Sequence, residues 1–291
     1  MYVSGFTIAR NVVKADYPIK EAIESILPLC DEVIVAVGKS EDTTLEFVQN
    51  LASVHSKIKI IETIWDDNLR EGGIVLAAET NKALEAVSEK ADWCIYIQAD
   101  ECMHEKDIPE IKASMEIFKD DEKVEGFLFN YRHFYGSYDY IGDSRKWYRK
   151  EIRIVRNGLG VESYKDAQGF RLEDRKLKVK PLNAHIHHYG WVKHPDVQKK
   201  KVEQANKLWH DDEYIEEKIS SKKFDYLEQM DSLVEFKESH PIYIQDRIAK
   251  VNWKFDYDIS KKNFTFKNRI LYWIEKCTGL RIGEYKNYEE I

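Results

Sequence analysis

Short apolar runs alternate with helical periodicities through the first part of the chain. Tyr2–Ala9 (YVSGFTIA) reads as a strand that ends in Arg10 and Asn11. Pro18 then opens a stretch in which Ile19, Ala22, Ile23, Ile26 and Leu27 recur at helical spacing. Val33–Val37 is nearly all valine and isoleucine, the pattern of a strand buried on both faces. Leu45, Val48 and Leu51 predict a second helix, Lys57–Ile61 a third strand and Gly73–Val87 a third helix. Trp93–Ile97 is the fourth strand. This alternation predicts an α/β fold, a mostly parallel sheet flanked by helices.

The second half has a different texture. A helix is expected from Lys106 to Phe118. Val124–Tyr140 is aromatic-rich and partly alternating, and Lys146–Arg156 alternates charged with apolar residues, so both predict strands. Asn157-Gly158 is a turn signal, and the runs flanking it are expected to form a hairpin. Val179–Trp191 holds the cluster NAHIHHYGW. A charged helix is expected from Asp196 to about Leu208, with further helices over Phe224–Phe236, Ile242–Val251 and Phe266–Cys277. The expected organisation is one unit over residues 1–210 and a helical C-terminal extension over residues 211–291.

Composition narrows the classes. With 43% hydrophobic and 33% charged residues the chain is globular, and a net charge of −7 gives no support to nucleic-acid binding. Cys30, Cys94, Cys102 and Cys277 show no CxxC spacing, so free thiols in a reducing compartment are expected. Without a long apolar run or an N-terminal signal pattern, the expected location is the cytoplasm.

Candidate chemistry gathers at the fourth strand, which ends in Gln98, Ala99, Asp100 and Glu101. Ligands of open α/β sheets collect outside the carboxyl ends of strands. Gly38-Lys39-Ser40 imitates the end of a P-loop, but position 33, where that motif needs glycine, is Val33. No GxGxxG follows the first strand.

Taken in order, these segments resemble family 2 glycosyltransferases of the GT-A fold over Tyr2–His210. Ser40–Thr44 (SEDTT) looks like the family's S-x-D-x-T segment, Asn81 like its helix asparagine, and Ile95–Glu101 (IYIQADE) like the strand ending in D-x-D. Two departures stand out. Gln98 replaces the first acid of D-x-D, and Val37 stands where many members place a base-reading aspartate.

The resemblance implies a metal-dependent, inverting transfer of a sugar from a nucleoside-diphosphate sugar to the hydroxyl of a glycan or lipid-linked glycan, in glycan or polysaccharide assembly. Mn²⁺ or Mg²⁺ would be held by Asp100 and by His188 of HYGW, with His187 and Glu101 as lesser candidates. Asp166 would be the general base, with Glu162, Asp143 and Asp174 as rivals. Ala9, Arg10, Asn11, Asp42, Arg70, Asn81, Gln98 and Ala99 would meet the nucleotide, with Trp65 nearby. Asp42 has a second reading as a helix cap, and Arg153, with Arg145, Lys146 and Arg149, has one as a solvated strand face. Tyr131–Tyr140 would either stack on sugar rings or form core. Lys261–Lys276 is basic, aromatic and amphipathic, which suits peripheral contact with a membrane surface or a partner, the ordinary alternative being helices that pack back on the catalytic domain. A nucleotidyltransferase and a catalytically inactive sugar-nucleotide-binding or scaffold protein are the alternatives.

Overall fold

The computed structural model describes residues 1–210, 212–220, 224–228 and 230–291. The first half follows the predicted alternation: β1 (Val3–Ala9), α1 (Ile19–Ile26), β2 (Glu32–Gly38), α2 (Thr44–Val54), β3 (Ile58–Thr63), α3 (Ile74–Glu85) and β4 (Trp93–Tyr96). Next come β5 (Glu101–Met103), α4 (Ile108–Ile117), β6 (Gly126–Tyr135), β7 (Tyr140–Gly142) and β8 (Lys150–Arg156). They are followed by β9 (Val161–Tyr164), β10 (Gly169–Leu172), β11 (Arg175–Lys176), β12 (Lys178–Trp191) and α5 (Pro195–Asn206). The remainder holds α6 (Asp212–Tyr214) with a π turn over Ile215–Ser220, β13 (Leu233–Glu235), α7 (Gln245–Ala249), α8 (Phe266–Thr278) and β14 (Glu289–Glu290).

β3, β2, β1 and β4 pair in parallel. The sheet then turns mixed: β8 runs antiparallel to β4 and to β6, and β12 runs parallel to β6. β5 pairs antiparallel with β12, which places Glu101 opposite His188. β9–β11 form a separate small antiparallel sheet. One face of the main sheet is covered by α1, α2 and α4 through Ile23, Ile26, Val48, Leu51, Ile111 and Met115. The other is covered by α3 and the small sheet, through Ala83, Val161 and Phe170. Trp93 joins the layers: it is fully buried, lies 4.8 Å from the Phe127 ring, and donates its indole N–H to the Met115 carbonyl at 3.0 Å.

Three expectations change. Phe224–Phe236 is not a helix: its described residues are turns followed by β13, which pairs with β7, while residue 229 lies outside the described residues. Tyr226, Met230 and Leu233 pack as separate anchors against Tyr135, and Tyr226 donates its hydroxyl to the Lys193 carbonyl at 2.9 Å, so packing overrides helical periodicity. Asn157-Gly158 does not close a hairpin either, because β8 joins the main sheet whereas β9 pairs with β10. β5 was not anticipated, being too short to show a period. The histidine strand alternates as expected, with His187 packed on Phe134 and His188 on His133 across the sheet. All four cysteines are free, Cys277 alone of them exposed. No helix among the described residues is long and apolar enough to cross a membrane.

Candidate functional site

A cleft of about 540 Å³ opens at the carboxyl ends of β1 and β4. Its walls come from four loops: Arg10 and Asn11 after β1, Trp65 to Arg70 after β3, Gln98 to Asp100 after β4, and Asp166 between β9 and β10. Tyr17, Tyr148 and the residues after α5, Lys207 to Trp209, also line it.

The loop after β1 is held from below. Asn11 adopts a left-handed conformation (φ 53°), which a short polar side chain tolerates, and its Oδ1 accepts the Glu41 amide at 2.8 Å. Asp42 accepts the amide of Lys14 at 2.7 Å and that of Thr44 at 3.0 Å, tying this loop to the start of α2. SEDTT thus builds the loop, and Asp42 does not line the cleft. Ala9 is buried in the core beneath it. Asn81 likewise sits outside the cleft, where it accepts the Ser163 amide at 2.7 Å and fastens α3 to β9.

Arg10 lines the cleft from the loop after β1. Its guanidinium meets Asp67 at 2.6 and 3.2 Å and lies 5.3 Å from the centroid of Trp65. The hydrogen bonds from Arg10 hold the Asp67 carboxyl below its usual range. Trp65 itself packs over Gly38, where a Cβ would fall 2.3 Å from the indole nitrogen; that nitrogen and Arg10 Nε are buried without a hydrogen-bond partner.

Asp100 is the buried acid of the cleft. Its Oδ2 accepts a hydrogen bond from Lys201 of α5 at 3.0 Å and lies 3.7 Å from His188 Nε2. Burial alone would raise its pKa, but the charges of Lys201 and His188 outweigh that and hold it well below the carboxylate range. His188 is oriented from behind. His133 Nε2 donates to the Tyr148 carbonyl at 2.9 Å, which leaves His133 Nδ1 to accept from His188 Nδ1 at 3.3 Å. Burial and the neighbouring His188 keep His133 neutral, well below its usual pKa. His188 Nε2 therefore points at Asp100, but His188 is not itself a wall of the cleft.

Glu101 is committed elsewhere. It forms a fully buried bidentate pair with Arg153, at 2.9 Å from Nε and 2.7 Å from Nη2, and accepts Tyr131 Oη at 2.7 Å. Arg153 is thus the opposite of a solvated strand arginine. Arg145 and Arg149 do pair nearer the surface, with Glu275 and Glu284. Phe134, Tyr135 and Tyr138 are buried core, so that part of the aromatic stripe cannot stack on a sugar. His187 is fully buried among Phe134, Tyr189 and His104.

Of the residues expected to act, Arg10, Asn11, Arg70, Gln98, Ala99, Asp100 and Asp166 share the cleft, while Ala9, Asp42, Asn81 and His188 stand behind it. Asp143, Glu162 and Asp174 are not among its walls, and Asp143 is tied to α8 by Tyr272 Oη at 2.5 Å. Sequence reasoning missed Tyr17, Tyr148, Trp209 and Lys201. Lys201 lies in a lysine run, KKK, that looks like any solvated helix face.

No protein-family model and no curated protein sequence matches the chain. Among solved structures it is similar to S. aureus TarS, at 14% identity and TM-score 0.42, over 70% of this chain and 39% of that one. It is also similar to the mannosyltransferase PcManGT from Pyrobaculum calidifontis in complex with GDP-Man and Mn²⁺, at 13% identity and TM-score 0.41, over 69% and 62% of the two chains. A third, glucosyl-3-phosphoglycerate synthase from Mycobacterium tuberculosis with Mn²⁺, UDP and phosphoglyceric acid, shares 22% identity at TM-score 0.28 over 46% and 43%. This chain thus spans less than two thirds of each of those chains. The likenesses are partial, and the residue placements above stand without them.

Proposed function

We propose that this chain is a glycosyltransferase that moves a sugar from a nucleoside-diphosphate donor to an acceptor hydroxyl. The observation that carries the reading is the meeting of Asp100 and Asp166, from separate loops, in one cleft walled by Arg10. In such a transfer the bond from the anomeric carbon to the diphosphate oxygen breaks, and its electron pair stays on the leaving phosphate. The acceptor oxygen bonds to that carbon from the other side, with inversion, and its proton passes to a carboxylate. Asp166 is assigned as that base. Arg10, stacked on Trp65, is assigned to the nucleotide, and Gln98 to holding the Asp166 loop, because its amide donates to the Ala167 carbonyl at 3.2 Å. A glycan or lipid-linked glycan acceptor remains part of the reading.

The divalent cation implied by the resemblance fits this donor set poorly. Mn²⁺ and Mg²⁺ are held by several hard oxygens. One or two protein carboxylates suffice where water and phosphate supply the other oxygens, so the fit turns on whether a carboxylate of the cleft is uncommitted. Asp100, the buried acid of the cleft, already neutralises an ammonium. Like unit charges 4 Å apart near a protein surface repel by about 4 kcal/mol, and a divalent ion beside an ammonium by roughly twice that.

Peripheral membrane contact is supported by α8, which buries none of its residues. Phe266, Ile270 and Trp273 are exposed at helical spacing, with Phe266 80% and Trp273 65% accessible. Lys267 and Arg269 on the same helix suit an anionic lipid surface.

A thermal-shift panel of UDP, GDP, ADP and CDP tests the donor site. A ligand of the native state raises the melting temperature, so one nucleotide should do so in the wild type and not in Arg10→Ala. A folded sample that responds to none contradicts the reading.

A further inference from the structure

Lys201 reaches Asp100 from 101 residues further along the chain. Its ammonium donates to Asp100 Oδ2 at 3.0 Å and to the Gly190 carbonyl at 2.7 Å, and it lies 4.8 Å from the centroid of the Tyr17 ring. Asp100 and Tyr17 are both walls of the cleft. The space in which these groups meet exists because residue 190 is glycine: a Cβ there would fall 2.6 Å from Asp100 Oδ2 and 2.7 Å from His188 Nε2.

Two further basic residues stand near Lys201. Lys193 is buried, lies 5.0 Å from the centroid of the Tyr17 ring and donates to the Asp16 carbonyl; Arg247 pairs with Asp16 and Glu21. Among the carboxylates nearby, Asp100 is the one that Lys201 meets as an ion pair. The position two residues before Asp100 carries the neutral Gln98, so Asp100 is the acid of the cluster, facing Lys201 and His188.

We propose that the Lys201 ammonium supplies, beside Asp100, the positive charge that a divalent cation would otherwise bring, so that the cleft binds a nucleoside diphosphate without metal. This rests on the glycosyltransferase reading. In the transfer the electron pair of the breaking anomeric C–O bond stays on the diphosphate oxygen; the Tyr17 hydroxyl on the cleft wall and the Lys201 ammonium behind it meet this charge, while the acceptor proton goes to Asp166. Lys201 donates hydrogen bonds throughout and gives up no proton. Asp100 holds the ammonium at the cleft wall.

The test is calorimetric titration of the full chain with UDP, GDP, ADP and CDP, each in EDTA and in Mn²⁺. One of the four should bind in EDTA about as tightly as in Mn²⁺. Lys201→Met should weaken it about tenfold or more, as the loss of a charged hydrogen bond does, and leave binding of the matching free nucleoside unchanged. Lys201→Arg, which keeps the charge, should retain most of the affinity and control for folding. Binding that requires Mn²⁺ and is indifferent to Lys201→Met overturns the proposal while leaving the transferase reading intact. No binding of any nucleotide under either condition removes the transferase reading and this proposal together.

Discussion

Gln98 donates its side-chain amide to the carbonyl oxygen of Ala167 at 3.2 Å. The bond joins the end of β4 to the loop that carries Asp166. That loop is held in an unusual shape, since Lys165 and Ala167, on either side of Asp166, have φ of 55° and 59°. Left-handed non-glycine residues persist only where the surroundings over-determine them. Gln98 is one such constraint, which gives an amide, rather than an acid, a physical reason to stand here.

Gln98→Glu turns a donor into an acceptor facing a carbonyl, and Gln98→Ala removes the bond. Both should lower kcat about three- to tenfold through misplacement of Asp166, with KM for the donor nearly unchanged, a loss of the size of one hydrogen bond. Steady-state kinetics separate this from a nucleotide-binding role, in which KM would rise instead.

Glu101 and Arg153 are fully buried and paired at 2.7 Å. Removing one partner strands the other charge in the core, so Glu101→Gln or Arg153→Met should destabilise the fold by about 3–5 kcal/mol. Replacing both should cost clearly less than the sum of the two. Urea unfolding midpoints of the single and double variants check this, and additive losses would show that the two residues are not coupled.

Lys193 carries a pH signature. Burial, and after it the neighbouring Lys201, lowers its pKa to about 7 in the folded chain. In the unfolded chain a lysine titrates near pH 10.4. Between those values the unfolded state binds the extra proton, so this residue makes stability rise with pH from about 7 to about 10. Its contribution to the slope is at most about 1.4 kcal/mol per pH unit. Lys193→Met should remove this contribution, as unfolding free energies measured across that range would reveal; parallel curves for the two proteins would contradict it.

The exposed face of α8 predicts binding to phosphatidylglycerol vesicles. Trp273→Glu together with Phe266→Glu should abolish co-flotation with them while leaving the melting temperature within a degree or so, because neither side chain is buried. Unchanged flotation would assign these residues no part in membrane contact.

The parallel half of the sheet was legible because its signal is local. Val33–Val37 and Trp93–Tyr96 are buried on both faces and read as continuous apolar runs. Two strand ends, those of β1 and β4, then place Arg10, Gln98 and Asp100 at one sheet edge without further information. What stayed hidden depends on pairing between distant segments. Arg153 looks like a solvated strand residue until β5 delivers Glu101 to it, and Lys201 looks like surface charge until α5 folds back over the cleft. Asp42 and Asn81 match motif positions, yet their bonds to Lys14 and Ser163 show them holding loops, which a motif alone does not distinguish from touching a ligand. The helix expected over Phe224–Phe236 failed for the same reason, since its aromatic anchors answer to Tyr135 and Lys193 rather than to each other.

The most direct measurement of the central claim is release of nucleoside diphosphate from UDP-, GDP-, ADP- and CDP-sugars in the presence of glycan acceptors, comparing wild type with Asp166→Asn. The account predicts turnover of one donor by the wild type and a loss of at least about a hundredfold in the variant, the contribution expected of a general base, with donor binding retained. Equal turnover by the two proteins, or none by a wild type that binds the donor and is offered a broad set of acceptors, would contradict it.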